Sequence, residues 1–262
     1  MTRFGQNFLR DPNLARVAID RADLRPADVV LEVGPGRGIL TALLAEAVAT
    51  VQAVEIDRAL EADLAPILAA HPNVRLTWGD AMQVPLDALE PAPTAFVANL
   101  PYNVATPLIL RSLAELPGVD RWCVMVQREI ADRLFASPST PAYGAVSVLM
   151  QLACERTDLH PVGRNVFDPP PRVDSALVAF RRRPEWAALA PDWPRLVALV
   201  HAGFRHRRKT LANGLQLAGI ASRAQAETVL GRLGRDARIR AEAIEPAGWP
   251  VLLAALAEPV AA

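Results

Sequence analysis

The sequence predicts an α/β fold, a doubly wound parallel sheet followed by a smaller all-helical C-terminal domain. Three observations predict it. Short β-branched runs alternate with helix-length amphipathic segments through the first half of the 262 residues. Three of the first four runs end on an unusual polar residue, at the end of the strand where an open parallel sheet holds its ligand. From Pro191 onward only helix-periodic segments remain.

Each element has its reason. "VVLEVG" (Val29–Gly34) is a β-branched run stopped by glycines, and "GILTALLAEAVA" after it has helical composition. "TVQAVEID" (Thr50–Asp57) and "RALEADLAPILAA" repeat the pair. "VRLTWGDA" supplies a third strand with Asp80 at its tip, and "TAFVANLP" a fourth with Asn99 at its tip. "TPLILRSLAEL" reads as a helix, "RWCVMVQ" as a fifth strand and "REIADRLFA" as a helix. The character changes after "PSTPAYGAVSVLMQLACE": "FDPPPRVDSALVAFRRRP" holds four prolines and ends in a basic cluster. "WPRLVALVHAGF", "KTLANGLQLAGI", "SRAQAETVLGRLG" and "PAGWPVLLAALAE" are then each amphipathic. These features place a boundary near residues 181–190, giving domains 1–184 and 185–262.

Composition narrows the classes. Hydrophobic residues make up 52% and charged residues 21%, which suits a sizeable core and excludes global disorder. No run of eighteen apolar residues occurs and "MTRFGQNFLRDPNL" has no apolar signal segment, so a soluble, cytoplasmic protein with no membrane partner is expected. Cys123 and Cys154 lie in separate apolar segments without CxxC spacing, so reduced core cysteines are expected, with no disulfide and no metal. Net charge is zero, but residues 1–100 carry 8 basic and 13 acidic side chains and residues 101–262 carry 20 and 15. Between Arg172 and Lys209, nine basic residues face only Asp174, Glu185 and Asp192, a stripe able to attract phosphates.

The strand tips carry the chemistry. "LEVGPGRGILT" sits between a strand and a helix, with Gly34, Gly36 and Gly38 spaced differently from a GxGxxG dinucleotide loop. Pro35 stiffens the turn, the glycines let a ligand lie against bare backbone, and Glu32 brings a carboxylate suited to an amine-bearing ligand. Glu55, at the end of the second strand, is placed to accept both hydrogen bonds of a ribose diol. Asp80 can accept from an adenine amino group. Glycine turn, diol acceptor, adenine acceptor and a carboxylate for an amino group together describe S-adenosylmethionine.

"NLPY" adds a second adenine. An adenine exocyclic nitrogen is a weak nucleophile because its lone pair is delocalised into the ring. The Asn99 side-chain oxygen can accept one of its hydrogen bonds, and the Leu100 carbonyl, held from helical coiling by Pro101, can accept the other. Two acceptors draw the nitrogen toward tetrahedral geometry and aim its lone pair at a methyl donor. Tyr102 offers a ring for the base, a stack worth roughly 1–3 kcal/mol. In-line displacement at carbon needs positioning rather than a strong base.

With "NLPY" and the Gly34–Gly38 loop, the sequence resembles the adenine-N6 ribosomal RNA methyltransferases, which include the KsgA/RsmA dimethyltransferases and the Erm resistance enzymes. "RFGQNFLRDP", "NLPYNVATPLI", "VQREIADRL", "YGAVSV", "FDPPPRVDSALV" and "FRHRRKTLANGL" resemble the KsgA/RsmA pattern in order, over nearly the whole chain. The resemblance implies a Rossmann-like class I S-adenosylmethionine methyltransferase sheet as catalytic domain and a helical RNA-substrate domain. It implies that Asn7 and Leu9 close over the cofactor beside Gly34, Glu55, Asp80 and Asn99. It implies too that Phe167 covers the second face of the target adenine, and a phenylalanine before three prolines on a rigid extended segment suits a stacking platform. Arg205, Arg207, Arg208 and Lys209, with His206, are expected to open a helix and contact phosphates. The implied reaction is N6,N6-dimethylation of two adjacent adenosines near the 3′ end of 16S rRNA in the immature small subunit, by a monomer. Three alternatives stand beside it: an Erm-type 23S enzyme, a non-catalytic assembly or regulatory factor, and a DNA adenine methyltransferase. Leu100, where the Erm group commonly has isoleucine, and "RRKTLANGL" favour the small-subunit target. The joint presence of Glu55, Asp80, Asn99 and Tyr102 speaks for turnover, and nothing after residue 181 resembles a reader of duplex grooves.

Overall fold

A computed structural model describes residues 6–258. The chain divides into two compact units: the first holds the described residues up to Ala131 together with Glu155–Arg182, and the second holds Asp132–Cys154 and the described residues from Arg183 onward.

In chain order the first unit runs β1 (Phe8–Leu9), α1 (Pro12–Arg21), β2 (Val29–Val33), α2 (Ile39–Ala47), β3 (Thr50–Glu55), α3 (Glu61–Ala70), β4 (Val74–Trp78), β5 (Ala95–Asn99), α4 (Ala105–Glu115) and β6 (Arg121–Gln127). It resumes with β7 (Cys154–Val162), β8 (Phe167–Asp168) and β9 (Ser175–Arg182). Among the described residues seven strands form one sheet in the order β4-β3-β2-β5-β6-β9-β7. β4, β3, β2, β5 and β6 are parallel, and β2, β3, β5 and β6 carry the nearly continuous buried runs of strands covered on both faces. Val33 pairs Val54, Glu55 pairs Trp78 and Asn99 pairs Met125, so the register brings the carboxyl ends of β2, β3 and β5 to one edge of the sheet.

Beyond the five parallel strands the sheet is mixed, in keeping with the fold class expected from the sequence: β9 runs antiparallel to β6, with Ser175 opposite Gln127, and β7 lies beyond it. The first six residues of β9 are all buried. Part of the basic stripe is thereby used within the structure. Arg181 pairs with Glu155, and Arg182 donates to the carbonyls of Leu113, Leu116 and Val119 and lies over the Trp122 ring. Arg183, in the second unit, donates to the Cys154 carbonyl.

The glycine loop shows why small residues stand there. Gly38 sits at φ +78°, and a Cβ on it would lie 2.0 Å from Ile67 Cδ1 and 3.2 Å from Leu64 Cδ2. Gly38→Ala is therefore expected to cost about 2–3 kcal/mol, from left-handed strain plus overpacking. The urea midpoint should fall at unchanged m-value, and a loss under about 0.5 kcal/mol would contradict that assignment.

The second unit takes in the C-terminal part of α5 (Arg128–Leu134), then α6 (Ala145–Ala153), α7 (Trp186–Leu189), α8 (Trp193–Phe204), α9 (Leu211–Leu217), α10 (Arg223–Arg232) and α11 (Gly248–Ala257). Its core centres on fully buried Trp249, stacked on Phe204 at 5.7 Å between ring centroids. Against the expected 184/185 division, Asp132–Cys154 joins this unit. Tyr143 is one of its ties: its hydroxyl donates to the Ile244 carbonyl at 2.7 Å, and its ring meets Phe204 edge-on. No helix among the described residues is long and apolar enough to cross a membrane.

Candidate active site

A cavity of about 400 Å³ opens at the carboxyl ends of β2, β3 and β5. It is lined by Asn7, Leu9, Glu32, Gly34, Gly36, Glu55, Asp80, Asn99, Leu100 and Tyr102, among others, so ten of the residues singled out in the sequence meet here.

The strand tips fix them. Glu32, next to last in β2, is 1% exposed, and its Oε2 has no hydrogen-bond partner among the described residues. Burial pushes its carboxyl up to about 8, Thr41 opposes the shift, and the charge of Glu55 adds to it. Thr41 Oγ1 has no partner in hydrogen-bond geometry among the described residues. A buried carboxylate oxygen facing a cavity without a partner calls for a cationic donor.

Glu55 is held differently. Its Oε2 accepts from Gly36 N–H at 3.1 Å and its Oε1 from Asp57 N–H at 2.8 Å. Burial raises its pKa, and these amides, with that of Ile56, oppose the rise. Both oxygens keep a further lone pair, so the pair of acceptors is pre-oriented by the Gly36 amide of the glycine loop and the Asp57 amide after β3. Gly36 sits at φ +58°, and a Cβ there would come within 3.0 Å of Phe8 Cδ1. Asp80 Oδ1 accepts from Met82 N–H at 2.8 Å, an Asx turn that leaves Oδ2 toward its surroundings.

The Asn99 carboxamide has its orientation set. Its Nδ2 donates to the Asn7 carbonyl at 3.2 Å, which leaves Oδ1 as the acceptor. Leu100 N–H donates to Met125 O at 3.0 Å, extending the β5–β6 ladder, and Pro101 brings no N–H of its own. Tyr102, half-buried, places its hydroxyl 2.7 Å from Ser175 Oγ. Burial raises the pKa of that hydroxyl, and the Ser175 bond opposes the rise.

Phe167 is a correction. It is wholly buried, pairs with Leu9 through the β1–β8 ladder, and belongs to the apolar core rather than to the cavity wall. With no exposed ring face it cannot cover a base in this arrangement; it anchors the segment that carries it. The basic cluster is the second correction. Arg205, Arg207, Arg208 and Lys209 lie in an exposed turn after α8 rather than opening a helix, because α9 begins at Leu211 behind the Thr210 cap. Arg207 donates to the Pro141 carbonyl, and none of the four forms an ion pair among the described residues.

Sequence reasoning missed four contributors. Gln6 Nε2 donates to Asp57 Oδ2, and Arg37 lies over the Phe8 ring at 4.8 Å while pairing with Asp168. Ile56, an exposed apolar side chain just past Glu55, lines the cavity, and Ser175 meets Tyr102. Only Ile56 carried a local signal, an apolar residue directly after a strand-end acid.

The comparisons agree with this geometry. The family model described as ribosomal RNA adenine dimethylase matches residues 1–246. The chain is 45% identical over 251 residues to "Ribosomal RNA small subunit methyltransferase A" of Rubrobacter xylanophilus, covering 95% of this chain and 92% of that one. It is 46% identical over 246 residues to the protein of the same name from Streptomyces coelicolor, covering 92% and 85%. Among solved structures, a dimethyladenosine transferase from Plasmodium falciparum superposes with a TM-score of 0.80 at 23% identity, over 94% of this chain and 95% of that one. The 23S rRNA methyltransferase ErmE superposes with 0.68 at 30% identity, over 96% and 100%. With a family match spanning the strand-tip cavity and the helical unit alike, the chain belongs to the ribosomal RNA adenine dimethylase family.

Proposed function

We propose that this chain, as a cytoplasmic monomer, dimethylates the N6 amines of two adjacent adenosines near the 3′ end of 16S rRNA in the maturing small subunit. One observation carries the reading: Asn99 Nδ2 is tied to the Asn7 carbonyl, so Oδ1 and the Leu100 carbonyl remain as two acceptors beside Tyr102. In the first transfer those acceptors take both N6 hydrogens of the base, and in the second they hold the one that remains; each time they bend the nitrogen out of conjugation and direct its lone pair, while the Tyr102 ring carries the purine face.

The residues present fit S-adenosylmethionine. The partnerless Glu32 oxygen suits its amino group, the amide-held Glu55 carboxylate its ribose diol, and Asp80 with Ile56 its adenine. When bound, the cofactor supplies an activated methyl group. The segment Gln6–Leu9, tied to Asp57, Asn99 and β8, limits water at the site. Arg205, Arg208 and Lys209, exposed and without an ion pair among the described residues, serve the phosphates of the substrate in a contact of electrostatic type.

The higher identity to the small-subunit enzymes, 45% against 30% for ErmE, favours the small-subunit target. Mass-spectrometric mapping of methylated adenines on both large and small rRNA from cells lacking the gene and from complemented cells tests this. Restored dimethyladenosine in the small-subunit RNA is expected; label confined to the large-subunit RNA would overturn the assignment.

A further inference from the structure

We infer that Ser175 is the positioning residue for the substrate-stacking ring, acting through the Tyr102 hydroxyl; the inference rests on the function proposed above. A bare aromatic ring is enough to stack a base. The hydroxyl of Tyr102 must therefore justify its partial burial in another way, since a buried hydroxyl without a partner is destabilising. Its partner is Ser175 Oγ at 2.7 Å.

The two ends of this bond differ in rigidity. Tyr102 lies in the connection between β5 and α4, outside any strand ladder, where the backbone is tied by Leu100 N–H to Met125 O and Val104 N–H to Pro101 O. Ser175 is 1% exposed and opens β9, locked opposite Gln127 on β6, and the carbonyl of neighbouring Asp174 accepts from Arg128 N–H at 3.0 Å. A fixed post on the sheet thus holds the far end of a side chain whose near end is on a loop. With Cα and Oη both placed, χ1 is set and the long axis of the ring is fixed, so the ring stays at one place above the loop. The ring is then held at one position relative to the Asn99 and Leu100 acceptors, and displacements of about 1 Å at such a site can lower rates a hundredfold.

Ser175→Ala, Tyr102→Phe and the double variant test this on the full-length protein. Each single substitution should lower kcat for transfer to unmethylated small subunits about tenfold to a hundredfold and leave cofactor affinity within about twofold. The double variant should be no worse than the poorer single one, because both remove the same bond. The chain has only two tyrosines, Tyr102 and Tyr143, so Cζ-labelled tyrosine gives two assignable resonances. Ser175→Ala should move that of Tyr102 and leave that of Tyr143. Losses that add in the double variant, a wild-type kcat in Ser175→Ala, or an unmoved Tyr102 resonance would each overturn the inference. If the wild-type protein itself transferred no methyl group, the proposed function would fail, and the resonance would still decide the tether.

Discussion

Asn99→Ala is expected to abolish methyl transfer, lowering kcat/KM about a thousandfold, while cofactor affinity stays within about tenfold. Asn99 Oδ1 is a preorganised acceptor aimed at a nitrogen whose lone pair must localise as the bond to the methyl forms, so its interaction strengthens along the reaction. Removing it deletes transition-state stabilisation rather than ground-state binding. The modest loss in cofactor binding comes from the other end of the carboxamide, where Nδ2 would no longer hold the Asn7 carbonyl. Asn99→Asp should be nearly as inactive, since a carboxylate cannot donate to that carbonyl and the strap over the cavity loses its tie. Single-turnover transfer and isothermal titration on the same preparations separate the two effects. Equal losses in rate and affinity would mean that Asn99 chiefly holds the cofactor.

Glu32→Gln should have the opposite signature. Here affinity for S-adenosylmethionine should fall about tenfold to a hundredfold, the worth of one charge-assisted hydrogen bond. The free protein, by contrast, should gain stability at alkaline pH. Glu32 is 1% exposed, and burial lifts its carboxyl from the ordinary value of 4.5 to about 8. With a folded-state pKa above the unfolded one, the native state holds the extra proton throughout that interval. The contribution of Glu32 is therefore fully present below about pH 4.5 and is lost as pH rises toward 8. Glutamine has no proton to lose, so Glu32→Gln should flatten this slope in urea titrations and raise the midpoint at pH 8. A substitution that left both cofactor affinity and the pH slope unchanged would remove Glu32 from the site.

The sequence made the first five strands of the sheet legible because interior parallel strands are continuous apolar runs, and "VVLEV", "TVQAVE" and "RWCVMVQ" can be little else. β9 was hidden: its apolar stretch stands between prolines and three arginines, and its direction is set by pairing with β6, not by local composition. β7 was hidden for another reason, since "CERTDLHPV" is largely polar and partly exposed. The tips of β2, β3 and β5 were legible as a site because Glu32, Glu55 and Asn99 are costly where they stand unless something binds them. What the sequence could not disclose was long-range. Tyr143 draws its segment to the helical unit through Ile244, 101 positions away. Leu9 draws Phe167 into the core across the β1–β8 ladder, and Asn7 orients Asn99 through a backbone carbonyl.

The central claim is that two acceptors at the end of β5 grip the target amine. A crystal structure with S-adenosylhomocysteine and an adenosine-containing RNA fragment tests it most directly. The target N6 is expected at about 3 Å from both Asn99 Oδ1 and the Leu100 carbonyl, with the base against Tyr102. A base whose amine faced other groups, with Asn99 turned wholly to the cofactor, would contradict it.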